Sequence, residues 1–322
     1  MEAPHVPVML DEVLDYLAPA VSRPGALAVD ATLGAGGHTE ALLKAHPDLM
    51  VIGIDRDPTA LTLASERLRD FGDRFVAARA VYDEIPDVLA AHGRERADAI
   101  LFDLGVSSMQ LDRPERGFAY AQDAPLDMRM NPDDHLTAEA VVNGYEVSEL
   151  VRILREYGEE KFAPRVAKAI AAARSQAPIT SSRRLADLVR DAIPAAARRT
   201  GGNPAKRTFQ ALRIEVNGEI DTWRAALPAA LDALAPGGRV VVMSYHSLED
   251  RIAKHELVRR SVSTTPAGLP VDLPGTEPTF RILTRKAHRP TQTELDRNPR
   301  SAPARLRAAE RVATSTGEGG DS

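Results

Sequence analysis

Short apolar runs that alternate with helix-compatible stretches through the first hundred or so residues constrain this chain more than any other feature. The runs are ALAVDATLG (26–34), MVIGID (50–55), RFVAARA (74–80) and ADAILFDLG (97–105), and between them 38–46, 58–70 and 84–92 have the length and composition of helices. Strands alternating with helices imply βαβ units, and hence an α/β fold with a mostly parallel, doubly wound sheet. Pro58 suits a first helical turn, where its missing N–H costs nothing.

The alternation stops near residue 111. From there to about 204 no strand pattern is evident, while 148–157, 160–174 and 182–193 read as helices with Ser148 and Ser182 as N-caps. An all-helical insertion is therefore expected. A long helix follows from near Ala205 to Leu234, kinked at Pro228, with Phe209, Leu212, Val216, Ile220, Trp223 and Leu227 forming a buried stripe at spacings of three and four. After Pro236-Gly237-Gly238 the run RVVVMSY is a strand, so the α/β pattern resumes. FRILTRK (280–286) and ARLRAAERV (304–312) would supply two more strands, and the terminal ATSTGEGGDS reads as disordered.

At 322 residues the chain can bury an ample core in one large domain with an insertion, or in two domains. It contains no cysteine, which removes disulfides, thiolate metal sites and every mechanism that begins with a cysteine nucleophile. Separately, no motif suggests a metal site, and none is expected. No apolar run approaches the ~18 residues needed to span a bilayer, and the beginning of the chain is acidic and broken by proline. No membrane contact and a reducing, cytoplasmic location are the expectations. The net charge of −5 hides an asymmetry: −15 over 1–149, +7 over 150–225 and +3 over 226–322. The basic middle is either a patch for a polyanion or a solvated set of helix faces.

Candidate chemistry gathers where the expected strands end. VDATLGAGGH joins the first strand to its helix, and glycines at 34, 36 and 37 let the backbone pass close to a ligand while the helix offers free N–H groups. The spacing G-x-G-G departs from the G-x-G-x-x-G of dinucleotide binders. Asp55, at the end of the second strand, either accepts hydrogen bonds from both hydroxyls of a ribose or caps the helix beginning near Pro58. Asp103 ends the fourth strand, either as a functional carboxylate or as a turn former before Gly105. Ser244, Tyr245 and His246 end the fifth and would line the same edge. On the long helix Lys206, Gln210, Arg213 and Asn217 recur at spacings of four, three and four, forming either one wall of a nucleic-acid groove or a solvated flank.

The chain resembles, nearly end to end, the bacterial ribosomal RNA small subunit methyltransferase H family, which modifies the exocyclic amine of a cytosine. The segments that carry the likeness are HVPVMLDEVL, DATLGAGGHTEALL, IGIDRDP, FDLGVSSMQLD, ERGFAY, PLDMRM, YGEEKFAPRVAKAI, RTFQALRIEVNGE, APGGR and SYHSLEDR. The resemblance implies a class I, Rossmann-like methyltransferase domain over 1–110 and 213–312, a helical substrate-recognition insertion over 111–212, and a tail over 313–322. It implies S-adenosylmethionine as methyl donor, held by Gly36, Gly37, His38, Asp55, Tyr82, Asp103 and Gln110. It implies 16S ribosomal RNA near the decoding site, free or in the small subunit, as the substrate, and leaves a homodimer open. Met109 stands where proline or histidine is frequent in the family, and the segment after 287 matches loosely.

Cytosine's amine is a weak nucleophile because its lone pair is delocalised, so the site must position it and accept its N–H bonds. Asp103 is either that acceptor or a holder of the cofactor's methionine moiety, and Tyr245 either stacks on an extruded base or packs at a strand end. Methylation of cytosine carbon 5 needs a thiolate adduct that a chain without cysteine cannot form. The segment Asp-Leu-Gly-Val replaces the Asp/Asn-Pro-Pro-Tyr of other amine methyltransferases, which points to a different set of acceptors. Two rival readings are a nicotinamide-dependent oxidoreductase, which would bind NAD, and a non-catalytic RNA-binding assembly factor.

Overall fold

β1 (Leu27–Asp30), β2 (Met50–Asp55) and β4 (Ala97–Asp103) are buried along nearly their whole length, which is why they read as continuous apolar runs rather than alternating ones. The computed structural model describes residues 7–106, 114–118, 123–198, 203–266, 273 and 275–313. β3 (Phe75–Arg79), β5 (Leu234–Ser244), β6 (Phe280–Ile282) and β7 (Arg305–Arg311) complete one sheet in the order β3-β2-β1-β4-β5-β7-β6. The first five strands pair in parallel, while β7 runs antiparallel to both β5 and β6. The weak pattern at 304–312 is thus a strand inserted between two others, and FRILTRK contributes only its first three residues. β5 starts earlier than expected, at Leu234, and Pro236-Gly237-Gly238 lies at a register shift opposite Ala97 and Ala99 rather than before the strand.

Because side chains alternate across a strand, the apolar residues sort onto two faces. Leu27, Val29, Ile52, Ile54, Ile100 and Phe102 join Trp223, Leu227 and Leu231 in one core. Ala28, Val51, Ala99 and Leu101 join Val13, Leu17, Leu42 and Leu43 in the other. A helix at Leu10–Val21, not anticipated from the sequence, covers part of this second face with Val13, Leu17 and Val21.

The chain divides into two compact units, Met1–Gly105 with Thr222–Ser322, and Val106–Asp221. The second has its own core, in which Val141, Leu150, Ile153, Val166, Ile170, Leu185, Val189, Phe209 and Leu212 are buried together. Its limits fall outside the 111 and 212 expected. Among the described residues no helix is long and apolar enough to cross a membrane. Gln110 and 314–322, the bulk of the tail read as disordered, lie outside the described residues.

Three local expectations are corrected. The long helix breaks at Gly218, whose φ of 60° is left-handed, into Lys206–Asn217 and Glu219–Asp232, and Pro228 sits inside the second piece. The stripe is buried, but the break assigns it to two cores: Phe209, Leu212 and Val216 to one, Trp223 and Leu227 to the other. The N-caps also shift. Ser181, not Ser182, caps Ser182–Ala192 by accepting from Arg184 N, and Glu146, not Ser148, precedes Val147–Glu156.

Asn217 ties the second unit together. Its Oδ1 accepts from Met130 N at 2.7 Å, and its Nδ2 donates to Met128 O and Arg213 O, both at 2.8 Å. Met128, fully buried, adopts a φ of 62° that a side chain ordinarily avoids, so these bonds hold an unfavourable backbone in place. Asn217→Ala should strand the buried Met130 N–H and Met128 carbonyl and cost about 2–4 kcal/mol. Chemical denaturation checks this, and an unchanged stability would show that water or repacking replaces the amide.

Candidate active site

β1 leads to β2 and β3 on one side, whereas β4 and β5 lie on the other, so the connections diverge between β1 and β4. Such a switch point opens a crevice at the carboxyl ends of the strands. Three strands finish there in a carboxylate: Asp30, Asp55 and Asp103.

The glycine loop is bound to β2 through its backbone. Leu33 N donates to Ile54 O at 2.9 Å, and Gly34 N donates to Asp55 Oδ2 at 2.9 Å. Gly34 and Gly36 have φ values of 52° and 76°, and Gly36 is the N-cap of the helix Gly37–Ala45, so the loop needs glycine to turn. Asp55 Oδ1 accepts from Asp57 N at 2.9 Å. Each oxygen of Asp55 therefore holds one donor, which leaves a lone pair on each for a pair of hydroxyls. Helix capping is done by Asp57, whose side chain accepts from Thr59 N at 2.9 Å. Burial pushes the Asp55 carboxyl up to about 6, against the smaller opposing pull of its two N–H donors.

Asp103 stands at the other side of β1. Its N–H donates to Thr32 Oγ1 at 2.6 Å, its Oδ1 accepts from Tyr245 OH at 2.7 Å, and its Oδ2 lies 3.8 Å from His38 Nδ1. Burial raises its carboxyl above the ordinary carboxylate range, while His38 and Tyr245 oppose that rise. A quarter of the side chain still meets solvent, so the group is reachable. Burial and the neighbouring Asp103 push the Tyr245 phenol well above its usual range, which keeps it a neutral donor. Gly105 has a φ of 96°, and a Cβ there would sit 3.4 Å from the Tyr245 ring. Asp30, almost fully buried, accepts from Thr39 Oγ1 at 2.7 Å and from Thr32 N at 3.3 Å, and burial raises it too.

The remaining candidates have mixed placements. His38 is buried with Nε2 donating to Val8 O at 3.0 Å. Tyr82 meets Phe102 and Trp223 edge-on, with Arg56 5.8 Å from its ring centre. Ser244 is buried and donates to Arg305 O at 3.4 Å. His246 N donates to Glu249 Oε2 at 3.2 Å, and its ring Nε2 lies 3.0 Å from Glu249 Oε1. Of the four helix residues, Asn217 is occupied as described, Arg213 makes two 2.9 Å bonds to Glu219, and Gln210 donates to Tyr157 O at 2.8 Å. Lys206 is exposed.

Sequence reasoning missed Asp30, Thr32 and Thr39, and set Glu249 at the same edge without giving it a role. Thr32 fastens the glycine loop to β4, and Glu249 Oε2 also accepts from Tyr245 N at 2.8 Å, fixing the turn that carries the phenol. DATLGAGGHT and SYHSLED contain all four, but a threonine or glutamate in such a segment has no periodicity to mark it.

The family model described as the MraW methylase family matches residues 2–312. The ribosomal RNA small subunit methyltransferase H of Salinispora tropica is 61% identical over 312 residues, covering 96% of this chain and 84% of that one. The protein of that name from Thermobifida fusca is 59% identical over 308 residues, covering 96% and 93%, and that of Mycolicibacterium smegmatis 57% over 313 residues, covering 96% and 84%.

Carboxyl-carbon NMR of the ligand-free chain should show Asp55 titrating near pH 6. A midpoint near 4, the ordinary aspartate value, would mean that water reaches the group freely and that burial does not govern its proton affinity.

Proposed function

The chain belongs to the MraW methylase family, and from that premise we propose that it transfers a methyl group from S-adenosylmethionine to the exocyclic N4 amine of a cytosine in 16S ribosomal RNA near the decoding site. The names of the relatives support the RNA class. The observation that supports the chemistry is the 2.7 Å Tyr245–Asp103 pair at the end of β4, on a carboxylate whose side chain is a quarter exposed and whose Oδ2 is not engaged by the phenol.

The residues fit the cofactor. Asp55, with one free lone pair on each oxygen, suits the two hydroxyls of a ribose, and the loop at Gly36, Gly37 and His38 lets a ligand approach the backbone. Tyr82, just beyond β3, is assigned to the adenine in the same reading, and Gln110 belongs to the same proposal. When bound, S-adenosylmethionine supplies an electrophilic methyl group on a sulfonium. Asp103 Oδ2, the oxygen not engaged by Tyr245, accepts an N–H of the target amine and holds the proton that the amine sheds. Its raised proton affinity suits it to that task. Tyr245 keeps the carboxylate oriented while its ring face is offered to the base, with Ser244 and His246 framing the turn. On the helix Lys206–Asn217, Lys206 meets the RNA, while Gln210, Arg213 and Asn217 hold the helix that presents it. The reaction needs no metal.

Incubation with labelled S-adenosylmethionine and unmethylated small subunits or their free RNA, followed by nucleoside analysis, should place the label in N4-methylcytidine. Label in another nucleoside, or none, would refute the proposal. Asp103→Asn should lower kcat by about 10²–10³-fold with little change in cofactor affinity. A loss of cofactor affinity instead would assign the carboxylate to the methionine moiety.

The diol bonds require ionised Asp55, so ligand binding competes with its protonation. Affinity for S-adenosylhomocysteine should be flat above about pH 7 and fall nearly tenfold per unit well below pH 6. Asp55→Ala should bind weakly at every pH, and calorimetry that finds unchanged affinity would remove the ribose role.

A further inference from the structure

The segment YGEEKFAPRVAKAI, part of the family likeness, contains charges that the reaction does not use. From Lys161 to Ala186 the chain carries six cations, Lys161, Arg165, Lys168, Arg174, Arg183 and Arg184, and no aspartate or glutamate. Arg174 is taken up by Val142 O at 2.8 Å. Lys161, Arg165 and Lys168 are exposed, and their side chains have no hydrogen bond or ion pair among the described residues. Their lack of partners is a local property: nearby Arg190 is bound to Asp187 at 2.7 Å and to Asp191 at 3.4 Å.

Geometry aligns the three. The helix Ala163–Arg174 buries Ala163, Val166, Ala167 and Ile170. Arg165 and Lys168 lie one turn apart on the opposite side, about 4.5 Å along the axis, and Lys161 precedes them by about another turn. The turn before the helix is closely packed. Glu159 has a φ of 48°, Glu160 is buried with Oε1 accepting from Phe162 N at 2.7 Å, and a Cβ on Gly158 would lie 2.7 Å from Arg207 O. Arg207, itself exposed, donates to Glu159 O at 3.2 Å, which brings a fourth cation to the start of the row. A strained, tightly packed turn that fixes a row of unneutralised cations indicates a surface kept for an external anion.

We propose that Lys161, Arg165 and Lys168, with Arg207 at their head, form a binding surface for consecutive phosphates of the RNA backbone. It rests on the reading of this chain as an RNA methyltransferase and adds to it the surface that gives affinity without reading bases. Cations without protein partners gain by releasing counterions from phosphates, and a row along one helix face suits a strand rather than a single anion. No base is discriminated there, so the contribution is to affinity and salt dependence, not to the choice of cytosine.

The test uses the full chain with all three residues changed to alanine, Lys161→Ala, Arg165→Ala and Lys168→Ala. A second variant keeps the charges: Lys161→Arg, Arg165→Lys and Lys168→Arg. Binding to small-subunit RNA is measured across a salt series, and methyl transfer is measured separately. The neutral variant should bind about tenfold or more weakly at moderate salt, and its log–log salt slope should be shallower by about 2, given ~0.7 per phosphate on a single strand. KM for RNA should rise while kcat at saturating RNA, cofactor affinity and melting temperature stay as in the parent, and the charge-preserving variant should bind like the parent. Parental affinity and slope in the neutral variant would overturn the proposal. So would loss of binding in the charge-preserving variant, or a parent that does not bind RNA. A parent that binds RNA with the predicted salt response but transfers no methyl group would leave this surface standing and refute the methyltransferase reading instead.

Discussion

Everything at this site depends on keeping three carboxylates at the ends of β1, β2 and β4 without giving each a cation. Like charges gathered away from water are unfavourable, and the chain answers with dipoles. Asp55 takes two backbone N–H groups, Asp30 a threonine hydroxyl and an N–H, and Asp103 a phenol. These bonds do not fully offset burial, so all three carboxyls titrate above their ordinary values. The same under-compensation leaves unused acceptor capacity at the edge where a ligand can enter. A salt-bridged set would be more comfortable for the fold and less useful for binding.

Backbone geometry serves this arrangement. The glycine loop turns through left-handed residues so that Gly34 N can reach Asp55, and Thr32 ties the loop to β4. Gly105 turns the chain beside the Tyr245 ring with a left-handed φ of 96°, and Glu249 holds the Tyr245 and His246 N–H groups. β1, β4 and β5 therefore reach the site as one hydrogen-bonded assembly, joined by groups distant in sequence.

Much of the fold was legible because a parallel sheet buries its strands on both faces, so LAV, VIGI and AILF stand out as unbroken apolar runs. Helix existence was legible from the stripe at Phe209, Leu212 and Val216, but its end was not. Proline at 228 is a stronger sequence signal than glycine at 218, yet the chain breaks where a residue adopts a left-handed φ and passes from one core to another. The helix Leu10–Val21 went unseen because its proline at 19 and its acidic start masked an apolar face. At the site, Asp55 and Asp103 could be found because strand ends are places where a carboxylate is unusual. Asp30 was hidden inside the glycine motif, and the spacing of Arg213 and Asn217 reports a helix face but not the bonds that face makes within the protein.

Donor and target are proposed to meet at the carboxyl edge of β1, β2 and β4. A crystal structure of the chain with S-adenosylhomocysteine and cytidine tests it most directly. Ribose hydroxyls are expected on both oxygens of Asp55 and the cytidine amine on Asp103, beside the Tyr245 ring. Ligand density away from these three strand ends, or an edge closed by its own side chains, would contradict it.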